Sequence, residues 1–362
     1  MRVLMTADAV GGVWNYSVTL ARALGEYDIA CTLAAIGPEP SSAQLDEAAT
    51  IPSLEVHHRP FRLEWMQDPW ADVDAAGEWL LELADECRPD VVHFNGYSHA
   101  ALDFGAPKIV AAHSCVCSWW RAVHREPAPA EWGEYRRRVC AGLNGCDLVI
   151  APTATVLRDL EREYECSPRT LVIQNAADVP KSIAGDRRFR FIFAAGRFED
   201  ESKNLALLQQ LARRVAWPVF VAGDGPPCGG VHMTGRLSHR AVLDRMARAE
   251  IFCHPALYEP FGLGPLEAAL SGCALALADI PSLREVWGDA ALFFDPRDAG
   301  AATEIVNLLI EDEALRRRIA AAGHERARVF TPQLQAESYL RAYGSVRTFS
   351  GRETARPVAW PT

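Results

Sequence analysis

Short runs of β-branched and aliphatic residues alternate with longer stretches in which apolar residues recur every three or four positions, and this alternation holds along most of the chain. A run at residues 2–6, an amphipathic stretch over 13–25 and a second run at 29–36 predict a strand, a helix and a parallel strand. Further runs at 91–94, 108–111, 148–150 and 171–173 are continuously apolar, as strands buried on both faces of a parallel sheet must be. After the polar stretch Pro180-Lys181-Ser182-Ile183-Ala184-Gly185-Asp186, which has neither period, the alternation resumes. Strands are expected at 189–195, 219–222, 251–254, 274–277 and 291–294, with helices over 204–215 and 239–249. Two Rossmann-like α/β domains follow, at 1–178 and 179–330. From 299 to 330 the pattern is helical throughout, and Thr331-Pro332 opens a last helix over 331–347, leaving 348–362 as a flexible tail.

At 362 residues the chain exceeds one ordinary core, which agrees with two domains. No apolar run reaches the 18 or so residues of a membrane span, and residues 1–6 lack the features of a signal peptide, so a cytoplasmic protein is expected. A formal net charge of -10 argues against broad nucleic-acid binding. The basic stretch Tyr135-Arg136-Arg137-Arg138 leaves peripheral contact with an anionic membrane open, beside the simpler reading as an exposed helix face. The ten cysteines include no CxxC pair, which predicts reduced thiols rather than a zinc site, with Cys115 and Cys117 the one spacing suited to a redox pair.

Candidate chemistry concentrates where strands end. Glu259 sits in a loop after the run ending at His254, and Glu267 lies about a turn into a helix expected from Leu263, with Pro265 in its first turn. That helix would aim free N–H groups and the positive end of its dipole at the Glu259 loop, so two carboxylates could line one crevice. Two solvated glutamates are the plain alternative. Gly196 and Arg197 end another strand, with Lys203 opening the next helix; a surface cation pair beside Glu199 to Glu201 is the alternative there. Gly11 and Gly12 open the first helix without the full GxGxxG spacing, which disfavours a nicotinamide or flavin enzyme. His113 lies just past a buried strand, and His93, at the end of the preceding one, is a weaker candidate. Asp72-Val73-Asp74 falls within a helical pattern and reads as a solvated face rather than a metal motif.

The run Glu259-Pro260-Phe261-Gly262-Leu263, followed by Glu267, Ser271-Gly272-Cys273-Ala274 and Asp279 to Glu285, resembles the family-4 retaining glycosyltransferases of the GT-B fold over about residues 191–298. The resemblance implies two domains facing a cleft, with the C-terminal helix crossing back to the first. It implies transfer of a sugar from a nucleoside diphosphate, as co-substrate, to an acceptor hydroxyl, with no metal and no other cofactor. Glu259, Phe261, Gly262 and Leu263 would surround the sugar, Glu267 would hold the ribose, and Arg197 and Lys203 would grip the pyrophosphate after Gly196. Gly11 and Gly12 would face the phosphate, His113 would meet the sugar, and the loops carrying Gly223 and Arg236-Leu237 would flank the base. His113, Glu259, Arg197 and Lys203 are thus the expected catalytic set. Ala176 stands where the family's interdomain turn carries glycine, which leaves the role of Asn175 open. The acceptor is unidentified, and Trp14, Trp65, Trp119 and Trp120 are candidate platforms for it. A sugar-nucleotide epimerase or hydrolase, or a non-catalytic sugar-nucleotide binder, would share the donor residues.

Overall fold

The computed structural model describes residues 1–179, 188–226 and 229–349. The linker expected at 180–186 and most of the tail expected at 348–362 lie outside the described residues. The first domain runs β1 (Arg2–Asp8), α1 (Gly12–Gly25), β2 (Ala30–Ile36), α2 (Ser42–Ala49), β3 (Leu54–Arg59), α3 (Trp70–Cys87), β4 (Val91–Phe94), β5 (Lys108–Ala111), α4 (Val116–His124), α5 (Gly133–Gly145), β6 (Leu148–Ala151), α6 (Ala154–Glu163) and β7 (Thr170–Val172). The second runs β8 (Phe189–Ala195), α7 (Leu205–Ala212), β9 (Val219–Ala222), β10 (His232–Met233), α8 (His239–Arg248), β11 (Ala249–His254), α9 (Leu263–Leu270), β12 (Ala274–Ala278), α10 (Pro281–Trp287) and β13 (Leu292–Phe294), followed by α11 (Ala299–Glu311), α12 (Glu313–Ala327) and α13 (Pro332–Phe349).

The first sheet has the order β3-β2-β1-β4-β5-β6-β7 and the second β10-β9-β8-β11-β12-β13, and the strands within each pair in parallel. Central strands such as β4, β6 and β12 are buried along their whole length, because helices cover both faces. β3 escapes the apolar pattern: Leu54-Glu55-Val56-His57-His58-Arg59 is an edge strand, half-buried and exposed by turns. The helical run expected over 299–330 is two helices. Asp312 leaves helical geometry at φ -101° and ψ 95°, and its carboxylate caps α12 by accepting from the Leu315 amide at 2.9 Å.

α13 carries Ala336, Tyr339, Tyr343 and Val346 on one face, at helical spacing, and that face is buried in the first domain's core against α1, β1 and β2. In each sheet the strand order reverses between two neighbours, β1 and β4 in one and β8 and β11 in the other. Ligands of open α/β sheets bind at the carboxyl ends of strands at such a switch point. The two switch points face each other. A Cβ on Gly11 would stand 3.6 Å from Arg197 Nε, and one on Gly12 would stand 3.4 Å from a Leu263 methyl.

Candidate active site

The first wall is built on the ends of β1, β4 and β5. Asp8 closes β1 and accepts from the Val10 amide at 2.9 Å, shaping the turn into Gly11 and Gly12. Burial raises its carboxyl above the ordinary value, against the pull of the Val10 amide and the Arg197 charge. At the end of β5, His113 bonds through Nε2 to Asn95 Oδ1 at 2.8 Å. Asn95 Nδ2 lies 2.7 Å from the Thr6 carbonyl, so that atom must be the amide donor and Oδ1 the acceptor. His113 therefore donates from Nε2 and keeps Nδ1 as an acceptor. Burial lowers its pKa to about 4, so the ring is neutral near pH 7.

The second wall grows from β8, β9 and β11. Gly223 has φ +139°, and a Cβ there would lie 1.8 Å from the Gly196 carbonyl oxygen. Its amide also bonds the Gly235 carbonyl at 3.0 Å, which draws the loops after β8, β9 and β10 together; Arg236 and Leu237 follow directly. Arg197 is exposed, its guanidinium 3.9 Å from Asp200 and beside the Gly11 turn. Lys203 Nζ donates to Glu259 Oε2 at 3.0 Å, and His254 Nε2 meets the same oxygen at 3.0 Å. Burial alone would raise the Glu259 carboxyl; the Lys203 charge and the His254 hydrogen bond overcome this and hold it well below the usual carboxylate range. Ser282 donates to the Glu259 carbonyl and pins the loop.

Gly262 then adopts φ +93°, which only glycine takes easily, and α9 begins at Leu263 with Pro265 in its first turn. Phe261 is buried and packs edge-on against Phe330, ring centroids 5.5 Å apart. Glu267, one turn into α9, is 9% exposed and contacts His239 Nε2 through Oε1 at 2.8 Å. The hydrogen bond that His239 donates to Glu267 raises the His239 pKa above its ordinary value, against burial.

Four contacts bind the walls together. Trp119 Nε1 donates to Asp200 Oδ1 at 3.0 Å, and Thr153 Oγ1 donates to the Pro260 carbonyl at 3.0 Å. Glu285 of α10 accepts from the Ala154 and Thr155 amides at 2.6 and 2.9 Å, closing the N-terminus of α6. Arg297 reaches the Ala122 and Val123 carbonyls at the end of α4. Between α4, α6, the Glu259 loop and α10 lies a cavity of about 290 Å³, lined by Arg121, Thr155, Asp159, Tyr258, Glu259 and Pro281 among others.

Two expectations fail on burial. Trp14 is 0% exposed within the first domain's core and cannot be an acceptor platform; as an early residue of α1 its side chain turns onto the sheet. His93 is also 0% exposed, and its Nδ1 meets the Tyr343 hydroxyl at 2.8 Å rather than a ligand. Trp65 is exposed on the segment between β3 and α3, while Trp120 packs on Trp119 and His124. The helix face around Arg136 is only partly a solvated one: Arg138 is buried and pairs with Asp74 and Glu134, and Arg137 also holds Glu134. Cys115 caps α4 through its sulfur at 3.3 Å from the Ser118 amide, and the described cysteines are free thiols. Asn95, His239 and His254 were not singled out from the chain. Only for His254, five residues before Glu259 at a strand end, did the linear order hold a signal.

The family model for Glycosyltransferase Family 4 matches residues 10–180, and that for Glycosyl transferases group 1 matches residues 228–326. The chain belongs to the family-4 glycosyltransferases of the GT-B fold. It is similar to the phosphatidyl-myo-inositol mannosyltransferase of Mycolicibacterium smegmatis, 27% identical over 198 residues, which are 49% of this chain and 51% of that protein. The chain spans between about a quarter and a half of the length of the first curated relatives it matches. Among solved structures, the sucrose-phosphate synthase of Thermosynechococcus elongatus superposes with a TM-score of 0.75 at 16% identity, over 97% of this chain and 100% of that one. Anabaena HepE, solved with UDP and glucose, superposes with a TM-score of 0.72 at 17% identity, over 95% and 100%. These likenesses establish the GT-B fold. Among the described residues, no helix is long and apolar enough to cross a membrane.

Proposed function

We propose that this chain is a retaining glycosyltransferase that moves a sugar from a nucleoside diphosphate to an acceptor hydroxyl without a metal ion. The observation that carries the reading is the convergence, at two facing switch points, of the Lys203–Glu259 pair, the Arg197 guanidinium and the open N-terminus of α9. As the glycosidic bond breaks, negative charge grows on the departing diphosphate. Arg197, Lys203 and the Leu263 and Gly264 amides are groups that stabilise such charge without reorganising. Glu259, held ionised, and the Phe261-Gly262-Leu263 backbone take the sugar hydroxyls, and neutral His113 accepts one more at Nδ1. The leaving phosphate removes the acceptor's proton on the same face, so the anomeric configuration is kept.

Glu267 takes the ribose hydroxyls through the oxygen that His239 leaves free. Gly196, Gly223, Arg236 and Leu237 frame the diphosphate and base, with Gly11 and Gly12 covering the phosphates from the other side. The fold neighbour solved with UDP and glucose supports a nucleotide-sugar donor of this kind. The acceptor lies on the first domain's side, with Trp119, Trp120 and Trp65 as its apolar contacts. The free thiols support a cytoplasmic setting.

A thermal-shift panel of nucleoside diphosphates and their sugars tests the donor site, because a ligand that binds only the folded state raises the melting temperature. At least one base is expected to shift it, and no shift across the panel would overturn the assignment. Glu267→Ala is expected to weaken nucleotide binding about tenfold or more, whereas Glu259→Ala mainly lowers turnover.

A further inference from the structure

Beneath the cleft, a buried polar cluster joins α1, β4 and α13. Tyr16 of α1 sets its ring edge-on against His113, centroids 4.4 Å apart and planes at 71°, and donates its hydroxyl to Tyr339 of α13. Tyr339 stacks on His93 at 5.1 Å, and His93 Nδ1 meets the Tyr343 hydroxyl at 2.8 Å. Tyr16 is 2% exposed and Tyr339 1%. Packing alone does not call for these polar atoms, which cost free energy to bury unless each is bonded.

The same segment of chain reaches the opposite wall. α13 begins two residues after Phe330, whose ring packs against Phe261 of the Glu259 loop and whose carbonyl accepts from the Ala177 amide at 3.3 Å. One continuous stretch therefore touches the Phe261 loop at its start and, through Tyr339, the neighbour of His113 about two turns into the helix. His113 has two restraints: Asn95 holds Nε2, and the Tyr16 ring blocks the side chain from swinging away. Tyr16 is itself held by the Tyr339 hydroxyl.

We propose that the segment from Phe330 to Tyr339 is a brace that sets His113 against the Glu259 loop, with Tyr16 and Tyr339 as positioning residues for transfer. The inference rests on the reading of His113 as a donor-sugar contact. It explains why the second domain's last helix is spent on the first domain's core, and why phenols rather than leucines face His93 there.

The test uses the full chain. Tyr16→Phe and Tyr339→Phe each delete the shared hydroxyl bond and keep the rings. Each is expected to lower kcat about tenfold with KM for the nucleotide sugar nearly unchanged, since a small misplacement of a sugar contact is felt in the transition state. The double variant should be no slower than Tyr16→Phe, because that variant already loses both the bond to Tyr339 and the 3.5 Å contact of the Tyr16 hydroxyl with His93 Nε2. Tyr343→Phe breaks only the His93 contact and should lower the melting temperature without changing kcat. Histidine NMR reads the brace apart from turnover: the His113 ring resonances should move in Tyr16→Phe and Tyr339→Phe, while Tyr343→Phe moves His93. If the wild type turns over no nucleotide sugar, the transferase reading fails, and the NMR pattern alone decides the brace. His113 resonances unmoved in Tyr339→Phe, or kcat unchanged in both single variants, would overturn it.

Discussion

Glu259 and Glu267 are eight positions apart in the chain but live in opposite electrostatic settings. Glu259 is a half-buried carboxylate held by the Lys203 ammonium and the His254 imidazole on one oxygen. Glu267 meets a single histidine that is itself partly exposed, with Glu47 of α2 adding to the negative field around His239. Because His239 has a raised pKa, it is charged below that value and neutral above it. A cation beside the nucleotide helps to hold an anionic donor, so donor affinity should fall as pH rises through the His239 pKa. The sign for folding is the same: the pair's contribution is complete below the unfolded pKa of about 6.5 and is lost as pH rises through the folded one. Isothermal titration with a nucleotide sugar, whose phosphates do not titrate in this range, should show a pH slope that His239→Gln flattens. Equal slopes in both proteins would remove His239 from the donor site. Gly223 makes a simpler case. Gly223→Ala places a methyl group inside the contact distance of the Gly196 carbonyl, at a φ that alanine disfavours, so about 2 kcal/mol or more of stability should be lost in a urea melt.

Elements that bury both faces announced themselves in the chain, and those that bury one face or cap another did not. β6 and β12 are continuous apolar runs, and β4 and β5 are so but for His93 and Lys108, because helices lie above and below them, so their positions were legible. β3 has a single neighbouring strand, β2, and its paired histidines hide it. The loops after β8 and β11 were legible through glycine and proline, which mark a forced φ or a first helical turn. Their partners were not, since His239 reaches Glu267 and Asn95 reaches His113 only once the sheet order is set. Glu285 belongs to the same class. It sits mid-helix in α10 and does its work at the N-terminus of α6, taking two amides that would otherwise be orphaned. Glu285→Ala should cost about 1 kcal/mol and loosen the closed pair of domains. Small-angle scattering would then report a larger radius of gyration than for the wild type, and an unchanged radius would show that the other contacts suffice to hold the closure.

For the whole molecule, the buried ionisable groups set the lower pH limit of stability, and histidines matter more than carboxylates there. His93 is enclosed on every side by α1, β4 and α13, and burial, with the nearby His113 adding to it, lowers its pKa to about 3. A depressed folded pKa means that the unfolded chain binds the proton more readily. The contribution of His93 is therefore complete above the unfolded value of about 6.5 and is lost as pH falls toward 3, at up to about 1.4 kcal/mol per pH unit. Glu259 has a depressed pKa as well, but its unfolded value is that of an ordinary carboxylate, so its contribution starts to fail only below about 4.5. Acid destabilisation should consequently begin near pH 6, above the range in which Glu259 takes up its proton, and half-buried His113 steepens the same limb. Guanidinium melts between pH 7 and 4.5 check this through the slope of stability against pH rather than its absolute value. His93→Gln leaves a polar group to face Tyr343 and cannot take up a proton, so its slope should be shallower even where its stability at pH 7 is lower. Parallel slopes would mean that the α13 seat tolerates a charged imidazole, which its burial and its tyrosine neighbours argue against.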